Sequence, residues 1–514
     1  PKLNQNPIKI KKALISVYDK TGVVALAKKL IKLNIEILST GGTASLLRKE
    51  KIQVTDVSDY TNFPEIMDGR VKTINPLIEG GILGLRNKHE QEAKINNIKW
   101  IDLVICNLYP FSNIITQHNC NLALALENID IGGPTMVRSA AKNFGWVCVG
   151  TNPEDYKIIQ NELIESGQIS YDTRRTLSAK AFGHTATYDT IIHNYLKQDM
   201  FSESFSLTFT KHSDMRYGEN PHQSAAAYKI ANDNSNNILN AIIHQGKKLS
   251  YNNIMDSDGA LACIKEFDRP ACVIVKHANP CGVATGKNIL GCYNKAFNAD
   301  PISAFGGIIA LNRTCSLEIA EEISKVFVEI VIAPGFDSPA LDVFKKKKNL
   351  RVLEIKPTTK RKPKLEIRNI DGGVLAQEVD IKSLTFEDLE VVTNRKPSKK
   401  DIKTALFSWK VLRHAKSNGI LIAKDNATIG LGAGQVSRVD AVHMAIRKGG
   451  GNLQGSTLAS DAFFPFRDSI DALSGTGIQT IIQPGGSIRD NEVINACNEY
   501  NISMVFTGTR CFKH

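Results

Sequence analysis

The residues best suited to chemistry are Lys276 and His277, which stand side by side after a short apolar run. The run at residues 273–275 is β-branched and predicts a buried strand. Residues 279–282, Asn-Pro-Cys-Gly, predict a turn that ends this strand. Because ligands bind at strand ends in open α/β sheets, we expect the ammonium group and the imidazole to face a ligand there. A strand that merely surfaces in a polar loop would show the same pattern.

Two glycine-rich stretches could hold a phosphate group. Residues 39–43 and 130–135 each lie between a predicted strand and a predicted helix, and each contains a Gly-Gly pair near small hydroxyl residues. Free N–H groups at a helix N-terminus suit a phosphate dianion, although a plain tight turn uses the same residues. Neither stretch matches G-x-G-x-x-G or the Walker A pattern, so we expect neither a dinucleotide nor ATP. Between them, the basic and hydroxyl cluster at residues 70–73 fits either a ligand contact or a solvated loop.

A zinc centre is not expected in this sequence. Residues 277–284 partly follow the zinc deaminase pattern H-x-E and P-C-x-x-C, in which the glutamate carries protons. Here Asn279 replaces the glutamate, and the second cysteine is absent. The ten cysteines of the chain are scattered without a C-x-x-C pair, which is typical of reduced thiols in the cytoplasm.

These residues require a framework of alternating strands and helices. In the N-terminal third, three predicted strands alternate with two helices, which indicates a parallel sheet with right-handed crossovers. The predicted strands of this region are residues 13–18, 35–40, 52–57, 101–109 and 146–150. A helix over residues 173–198 suits a connector to a second domain. A helix over residues 402–417 and a strand over residues 420–423 predict another α/β segment.

Length and composition indicate a globular protein of two to four domains, with 514 residues, of which 42% are hydrophobic and 23% are charged. No apolar run approaches the roughly 20 residues that span a bilayer. The N-terminal residues lack the apolar segment of a secretory signal. We therefore expect a cytoplasmic protein without a membrane segment.

The formal charge of +12 could indicate nucleic acid as a partner, but much of this charge is local. Residues 345–368 contain eleven Lys or Arg against two Glu, and they include no aromatic residue that could stack on a base. A solvated face, or a site for anionic small molecules, therefore fits this segment better than nucleic acid does.

Five short stretches of the N-terminal third resemble, in their order, a known family. They are residues 16–22, 39–43, 70–73, 106–111 and 130–135. They resemble the IMP cyclohydrolase domain of the bifunctional purine-biosynthesis family, which joins phosphoribosylaminoimidazolecarboxamide formyltransferase to IMP cyclohydrolase. The resemblance implies a fold similar to methylglyoxal synthase. It also implies ring closure of 5-formamidoimidazole-4-carboxamide ribotide to IMP, with loss of water and without a cofactor.

The resemblance implies a catalytic group and a substrate cradle in this domain. The acid–base and oxyanion groups would be Lys72, Tyr109, Asp130 and Lys142. A neighbouring carboxylate would keep Lys142 charged, whereas burial would favour a neutral, basic Lys72. The substrate-binding residues would be Ser16, Lys20, Ser39, Thr40, Gly41, Gly42, Thr43, Arg70, Thr73, Asn107, Gly132 and Gly133. Asn75 and Glu79 stand where the family often has histidines, which leaves a monofunctional formyltransferase with a binding-only N-terminal domain as the alternative.

The rest of the chain resembles the formyltransferase domain of the same family. The matching stretches are residues 216–223, 276–282, 300–307, 332–335, 430–438, 460–468 and 509–514. The resemblance implies two cytidine-deaminase-like α/β lobes without zinc, with domains at residues 1–200, 201–370 and 371–514. It further implies formyl transfer from 10-formyltetrahydrofolate to the 5-amino group of aminoimidazole carboxamide ribotide, in an intertwined homodimer.

Within these lobes, the resemblance gives His277 the role of taking up the proton of the attacking amine. Lys276 would disfavour the imidazolium by like charge and stabilise the tetrahedral oxyanion. The substrate-contacting residues would be Arg216, Tyr217, Phe305, Gly306, Glu329, Lys348, Phe463, Asp468, Arg510, His514 and either Asp425 or Asn426. On charge alone, we hypothesise that Lys360, Arg361 and Lys362 attract the polyglutamate tail of folate.

Overall fold

The computed structural model describes residues 3–231, 233, 235–356 and 364–514. The chain forms two compact units. The first ends at Phe209 and includes a short segment beginning at Ile230, and the second comprises the remainder. The hypothesis about Lys360, Arg361 and Lys362 falls outside the described residues.

The first unit is built on a five-stranded sheet. From edge to edge its strands are Thr55–Asp56, Glu36–Ser39, Lys12–Val17, Leu103–Asn107 and Cys148–Gly150. All neighbouring strands in this sheet are parallel, which confirms the predicted parallel arrangement. The third predicted strand is only the two residues Thr55–Asp56. A separate antiparallel pair joins Ile8–Lys9 to Gln168–Ile169.

The helices of the first unit cover the faces of this sheet, as their apolar periodicity requires. In the helix Val23–Lys32, the buried residues Val23, Leu26, Ala27 and Leu30 recur at spacings of three and four. The helices are Val23–Lys32, Gly41–Lys49, Val57–Thr61, Pro76–Leu83, Glu90–Ile95, Phe111–Ile115, Leu122–Glu127, Gly132–Lys142, Asp155–Ser166 and Tyr171–Leu196, with a 3₁₀ turn at Met67–Gly69.

The second unit contains one sheet of twelve strands. In spatial order they are Ile242–Gln245, Arg351–Glu354, Ile330–Ala333, Ile308–Leu311, Ala271–Lys276, Asn279–Thr285, Ala427–Gly432, Ile420–Lys424, Thr457–Ser460, Thr480–Gln483, Ser503–Phe506 and Glu390–Val391. Two small antiparallel sheets pair Phe209–Met215 with Ala225–Ile230, and Leu365–Ile370 with Gly373–Glu378. The expected domain limit at residue 370 coincides with the end of the strand Leu365–Ile370.

The helices of the second unit are Tyr251–Ile264, Ile289–Ala299, Pro301–Ala304, Leu317–Ser324, Ser338–Lys345, Lys399–Leu412, Arg438–Gly449, Asp468–Asp471 and Asp490–Glu499, with 3₁₀ turns at Ile238–Asn240, Phe386–Asp388 and Gly450–Asn452.

The twelve-stranded sheet is an internal duplication. Each half has six strands in the same order, and the parallel and antiparallel pairs of the two halves correspond one to one. In each half the helix that follows the first strand carries a capping box, from Ser250 and Asn253 in the first half and from Ser398 and Asp401 in the second. The two halves are therefore two α/β lobes of equivalent construction.

The two lobes meet at the centre of the sheet, where the backbone ladder is short. The strands Asn279–Thr285 and Ala427–Gly432 share a single antiparallel residue pair, Ala284 with Ala427. Two further bonds run beside it, from the Val283 N–H to the Thr428 hydroxyl at 2.9 Å and from the Thr285 N–H to the Asn426 carbonyl at 3.0 Å. A single apolar core, containing residues of both lobes, packs beside this junction.

The prediction that residues 279–282 end the catalytic strand is wrong. These residues open the next strand, Asn279–Thr285, and the chain turns instead at His277 and Ala278, whose φ angles are 52° and 57°. Pro280 is tolerated in this strand because it lies opposite a register shift in the ladder, where one N–H is not required. The sequence therefore forms a hairpin, which we call the lysine–histidine hairpin: strands Ala271–Lys276 and Asn279–Thr285.

Candidate active sites

A cleft of about 1050 Å³ opens where the parallel strands of the first unit end, and we call it the N-terminal cleft. The predicted site residues that line it are Ser16, Lys20, Thr40, Gly41, Gly42, Thr43, Arg70, Lys72, Thr73, Asn107, Tyr109, Asp130, Gly132 and Gly133. The strands Lys12–Val17 and Leu103–Asn107 end beside it, because parallel strands present their carboxyl ends at one edge of a sheet. Sequence reasoning missed Tyr18, Glu127 and Asn128, which also line this cleft.

The first glycine pair lies beside two ammonium groups. The helix Gly41–Lys49 begins here, and no side chain caps its first N–H groups. A Cβ built on Gly41 would lie 3.7 Å from the Lys72 Nζ atom, and one on Gly42 would lie 3.9 Å from the Lys20 Nζ atom. Uncapped N–H groups at a helix N-terminus attract anions, and the two cations strengthen this attraction. The arrangement suits a phosphate group.

Asp130 precedes the second glycine pair and is half-buried. Its Oδ1 atom accepts the Gly133 N–H at 2.9 Å, and its own N–H donates to the Tyr188 hydroxyl at 2.7 Å. A Cβ on Gly133 would lie 2.5 Å from the Asp130 Oδ2 atom, so only glycine fits there. Burial raises the pKa of Asp130, while hydrogen bonds from the Gly133 and Tyr109 N–H groups and the charge of Lys72 oppose this rise. Asp130 is therefore a carboxylate that binds a proton more readily than an ordinary aspartate.

Aromatic rings border the N-terminal cleft. The rings of Tyr18 and Tyr109 meet edge to face, with centroids 5.6 Å apart, and both side chains are about half exposed. Asn107 fixes this pair, because its Oδ1 atom accepts the N–H groups of Tyr18 and Asp19 at 2.7 and 2.9 Å. Asn107 therefore positions the loop, and its contact with the substrate stays a prediction. The pair offers an apolar surface for a planar heterocycle.

Two basic residues of this cleft are less buried than expected. The Lys72 side chain is 28% exposed, and its Nζ atom lies 3.6 Å from the Glu65 Oε1 atom. The burial that would favour a neutral, basic Lys72 is therefore only partial. Arg70 is more exposed still and forms an ion pair with Glu127. Both cations lie at the mouth of the cleft, where an anionic ligand can exchange with their present carboxylate partners.

Two predicted site residues do not reach the N-terminal cleft. Ser39 is fully buried, and its hydroxyl donates to the Ile15 carbonyl at 2.7 Å, so it joins two strands instead of binding a ligand. Lys142 ends the helix Gly132–Lys142 and is exposed. Ten residues of helix place it about 15 Å along the axis from Gly132, which does line the cleft. Lys142 therefore does not line the N-terminal cleft, and its catalytic role stays a prediction.

Asn75 and Glu79 belong to the framework beside the cleft. Asn75 caps the helix Pro76–Leu83 by accepting the Leu77 N–H at 2.9 Å. Glu79 accepts a hydrogen bond from the Ser139 hydroxyl at 2.6 Å, while its other oxygen is buried without a partner in the part of the chain that the structure describes. Burial raises the pKa of Glu79, although the bond from Ser139 opposes the rise. Neither residue lines the cleft.

We expect Glu79→Gln to stabilise the protein above neutral pH. Because the folded pKa lies above the unfolded value near 4.5, the proton favours folding, and the stability that Glu79 contributes is lost as pH rises through the folded pKa. Glutamine carries no charge to desolvate, so the variant should gain about 1 kcal/mol at pH 8, and its advantage should shrink toward pH 5. Thermal unfolding at both pH values measures this. Glu90→Gln, at an exposed site paired with Lys94, is the matched control and should not gain stability. Lower stability of Glu79→Gln at both pH values would contradict the prediction.

In the second unit, Lys276 contacts the stretch that sequence reasoning placed beside it. Its Nζ atom donates to the Phe305 carbonyl at 2.6 Å, and a Cβ on Gly306 would lie 3.9 Å from the same Nζ atom. The Phe305 side chain is 58% exposed and packs against Phe327, with ring centroids 5.4 Å apart. One hydrogen of the ammonium group is thus used for positioning, and two are free for a ligand.

The backbone of Glu329 contacts the loop that follows Phe305. Its N–H donates to the Gly307 carbonyl at 3.0 Å, and its carboxylate accepts from Arg351 at 2.7 Å. Lys348 is exposed and lies three residues before Arg351 in the chain. The predicted loop with Arg216 and Tyr217 contacts the helix Tyr251–Ile264. There the Glu219 carbonyl accepts a hydrogen bond from the Asn252 side chain.

The backbone groups of His277 form hydrogen bonds to a neighbouring helix and to Asn279. The N–H groups of His277 and Ala278 both donate to the Asp256 carboxylate, at 3.3 and 2.8 Å. The His277 carbonyl accepts from the Asn279 side chain at 3.0 Å. Asn279 in turn accepts the Lys416 N–H at 3.0 Å, which connects this turn to the second lobe.

The C-terminal segment lies at the same edge of the sheet as His277. The Ser417 N–H donates to the Lys513 carbonyl at 2.8 Å, directly before the terminal His514. Arg510 and His514 stand on either face of Phe512: the Arg510 guanidinium is 4.7 Å from its ring, and the His514 ring is 5.5 Å away. The structure thus places Arg510 and His514 near the lysine–histidine hairpin, within one chain.

Sequence reasoning missed Asn418, which lies at this edge. Its Oδ1 atom accepts from Arg438 at 2.7 Å, and its Nδ2 group donates to the Gln435 and Val436 carbonyls. The signal that could have identified it is an amide residue directly before the buried strand Ile420–Lys424.

Asp425 does not lie near His277 within the chain. It forms the tip between the strands Ile420–Lys424 and Ala427–Gly432, and the Asn426 carbonyl accepts the Thr285 N–H there. Asn279, beside His277, starts the strand that ends at Thr285, so the two tips lie about 20 Å apart at opposite edges of the sheet. Within one chain, Asp425 and Asn426 are therefore remote from His277, and their contact with the substrate stays a prediction.

Two further predicted residues belong to the second lobe. Phe463 is 41% exposed and follows Asp461, whose carbonyl accepts the N–H of Cys511 at 3.0 Å beside Arg510. Asp468 is exposed and accepts the N–H of Ser469. Among the described contacts, none links Asp468 to His277 or to Lys276.

Among the described residues, no three His, Cys, Asp or Glu side chains are grouped so that they could hold a metal ion. In the same part of the chain, no helix combines the length and the apolar character that crossing a membrane requires.

Comparison with known proteins gives consistent results for both units. The family described as AICARFT/IMPCHase bienzyme matches residues 140–448, and the MGS-like domain matches residues 22–135. The chain is similar to the "Bifunctional purine biosynthesis protein PurH" of Acetivibrio thermocellus, with 51% identity over 98% of this chain and all of that protein. It is also similar to the proteins of the same name from Caldicellulosiruptor saccharolyticus and Bacillus cereus, with 50% and 49% identity over 98% of this chain and all of each relative. A solved structure, the crystal structure of ForH, is 31% identical over 37% of this chain and all of its own, with a TM-score of 0.33. The chain belongs to the family of bifunctional purine biosynthesis proteins.

Proposed function

We propose that this bifunctional formyltransferase and cyclohydrolase of purine biosynthesis uses two separate sites. Ring closure takes place in the N-terminal cleft, within a domain of residues 1–200. Formyl transfer takes place at the lysine–histidine hairpin, within two lobes of residues 201–370 and 371–514. The observation that carries the proposal is the convergence of the motif residues on one cleft in the first unit and on one sheet edge in the second.

In formyl transfer, the 5-amino group of aminoimidazole carboxamide ribotide attacks the formyl carbon of 10-formyltetrahydrofolate. The formyl oxygen becomes an oxyanion, which the two free hydrogens of the Lys276 ammonium group stabilise. His277 takes the proton from the attacking nitrogen. The bond from carbon to the folate nitrogen then breaks, and that nitrogen leaves with a proton. Folate is a co-substrate in this reaction, and the proposal requires no metal or dinucleotide.

In ring closure, the carboxamide nitrogen attacks the formyl carbon and water is lost. The Asp130 carboxylate accepts a proton of that nitrogen, and the Tyr109 hydroxyl protonates the former formyl oxygen. Asp130 then returns its proton as this oxygen leaves as water, and the proton that the former formamido nitrogen loses as the C=N bond forms goes back to Tyr109. Lys72 stabilises the intermediate oxyanion. Lys20 and the N-terminus of the helix Gly41–Lys49 hold the phosphate group.

We also propose that the protein acts as a homodimer in the cytoplasm. Apolar side chains of the second unit are almost fully exposed in the single chain, including Ile302, Val436 and Ile488 at 87%, 101% and 105%. Both strands of the hairpin Leu365–Ile370 and Gly373–Glu378 are also mostly exposed, and a second copy would cover such surfaces. None of the ten cysteines, which all lie in the described part of the chain, forms a disulfide bond, as a reducing compartment favours.

Two assays on the purified full chain test the proposed function. The first supplies the formamido nucleotide without folate and follows formation of IMP. The second supplies aminoimidazole carboxamide ribotide with 10-formyltetrahydrofolate and follows release of tetrahydrofolate. We expect activity in both assays. Transfer without closure would instead support the monofunctional alternative with a binding-only N-terminal domain.

A further inference from the structure

We propose that Asp256 is a positioning residue for formyl transfer, because its carboxylate holds the turn that presents the His277 imidazole. The inference rests on the proposed role of His277. Asp256 itself is not a catalytic residue in this proposal, since it contacts the backbone of the turn and not the reacting atoms. It lies on the helix Tyr251–Ile264, a rigid element that packs against the strand before His277.

The contacts of Asp256 are with both residues of the turn. One carboxylate oxygen accepts the Ala278 N–H at 2.8 Å, and the other accepts the His277 N–H at 3.3 Å. The helix also approaches the turn closely at Gly259, where an added Cβ would lie 3.5 Å from the Ala278 carbonyl. A single side chain therefore bonds to the only two residues that lie between the strands of the lysine–histidine hairpin.

The turn needs this support because of its residue types. Both His277 and Ala278 have left-handed backbone angles, with φ of 52° and 57°. A two-residue hairpin of this kind favours Asn, Asp or Gly, and other residues adopt the conformation at a cost in free energy. Such a conformation persists only where surrounding contacts enforce it. The two hydrogen bonds to Asp256 are contacts of this kind.

The duplicated lobe supplies an internal comparison. Its equivalent tip has nearly the same backbone angles, with φ of 53° and 57°, but its residues are Asp425 and Asn426, which adopt them readily. Counting six residues from the capping serine reaches Asp256 in the first lobe and Thr404 in the second. The Thr404 hydroxyl donates to the Lys400 carbonyl within its own helix. Thus the lobe whose turn contains His and Ala has the carboxylate, and the lobe whose turn contains Asp and Asn does not.

The test compares Asp256→Ala, Asp256→Asn and the double variant Asp256→Ala/Ala278→Gly in the full-length protein. We expect Asp256→Ala to lower kcat for formyl transfer by roughly 10- to 100-fold with little change in KM, since a displacement of about 1 Å has effects of this size. Asp256→Asn keeps one acceptor oxygen and should fall between the alanine variant and the wild type. Ala278→Gly should restore much of the lost kcat in the double variant, because glycine adopts the left-handed angle without support.

Controls separate the possible outcomes. Asp258→Ala, at an exposed position on the same helix, should retain wild-type transfer. Far-UV circular dichroism and thermal unfolding of the full chain report whether each variant is folded, because cyclohydrolase activity depends on the first unit alone. Equal kcat in Asp256→Ala and Asp258→Ala, or no recovery in the double variant, would overturn the inference. His277→Ala is measured in parallel. If His277→Ala keeps full transfer activity, the proposed function of the site fails. If His277→Ala loses transfer activity while Asp256→Ala keeps it, only the positioning role of Asp256 is refuted.

Discussion

His277→Ala should lower formyl transfer by about 10²- to 10⁴-fold while ring closure continues at the wild-type rate. The imidazole is the general base of the proposed transfer, and an alanine leaves no group at the hairpin tip that can accept the proton of a weakly nucleophilic amine. Lys276 would still bind the formyl oxygen, so KM should change much less than kcat. Steady-state kinetics with both assays, on the same protein preparation, measure the two rates.

The matched control for this variant is His443→Ala. His443 lies in the helix Arg438–Gly449 of the second lobe and is exposed, so its removal should affect neither reaction. If His277→Ala retained transfer within threefold of His443→Ala, the lysine–histidine hairpin would not contain the base. A loss of both activities in His277→Ala would indicate that the variant is misfolded rather than catalytically impaired.

Asp130→Asn should have the converse effect, with ring closure reduced by at least about 10²-fold and formyl transfer unchanged. The amide keeps the shape of the side chain and can still accept the Gly133 N–H, so the glycine turn should stay intact. It cannot accept the proton of the attacking carboxamide. Asp172→Asn, at an exposed position of the helix Tyr171–Leu196, is the matched control.

The pH dependence of ring closure gives an independent reading of Asp130. Burial raises the pKa of this carboxyl, and only its deprotonated form can act as a base. Activity should therefore fall as pH decreases through the raised pKa, at a higher pH than an ordinary aspartate would give. The residual activity of Asp130→Asn should lack this acid limb. An unchanged acid limb in the variant would assign the titration to another group.

Much of the first unit could be predicted from the sequence because its signals are local. The spacing of Val23, Leu26, Ala27 and Leu30 defines a helix face without reference to any other part of the chain. The cleft follows from topology, since parallel strands bring the motifs at their carboxyl ends to one edge. The exceptions depend on tertiary contacts: the hydroxyl of Ser39 is used by the neighbouring strand.

The second unit was harder to predict because its symmetry lies in the backbone. The lobes share few side chains that are visible as a repeat, yet Gly282 and Gly430 occupy equivalent places. A Cβ on either glycine would lie about 2 Å from the carbonyl of Ala296 or Ala445, respectively. The turn at His277 escaped prediction for a related reason, because neither histidine nor alanine marks a left-handed turn. We attribute it to the Asp256 carboxylate on the preceding helix, whose contact with the turn cannot be seen in the sequence.

The junction between the lobes determines how temperature acts on this sheet. Its ladder contributes one residue pair, a few polar contacts join the lobes beside it, and a shared apolar core packs across it, where the rings of Phe267 and Phe407 lie 5.7 Å apart. Hydrophobic attraction weakens on cooling. In energetic terms the continuous sheet is thus two smaller sheets joined by apolar contacts. These contacts are the part of the sheet whose stabilising free energy decreases most on cooling.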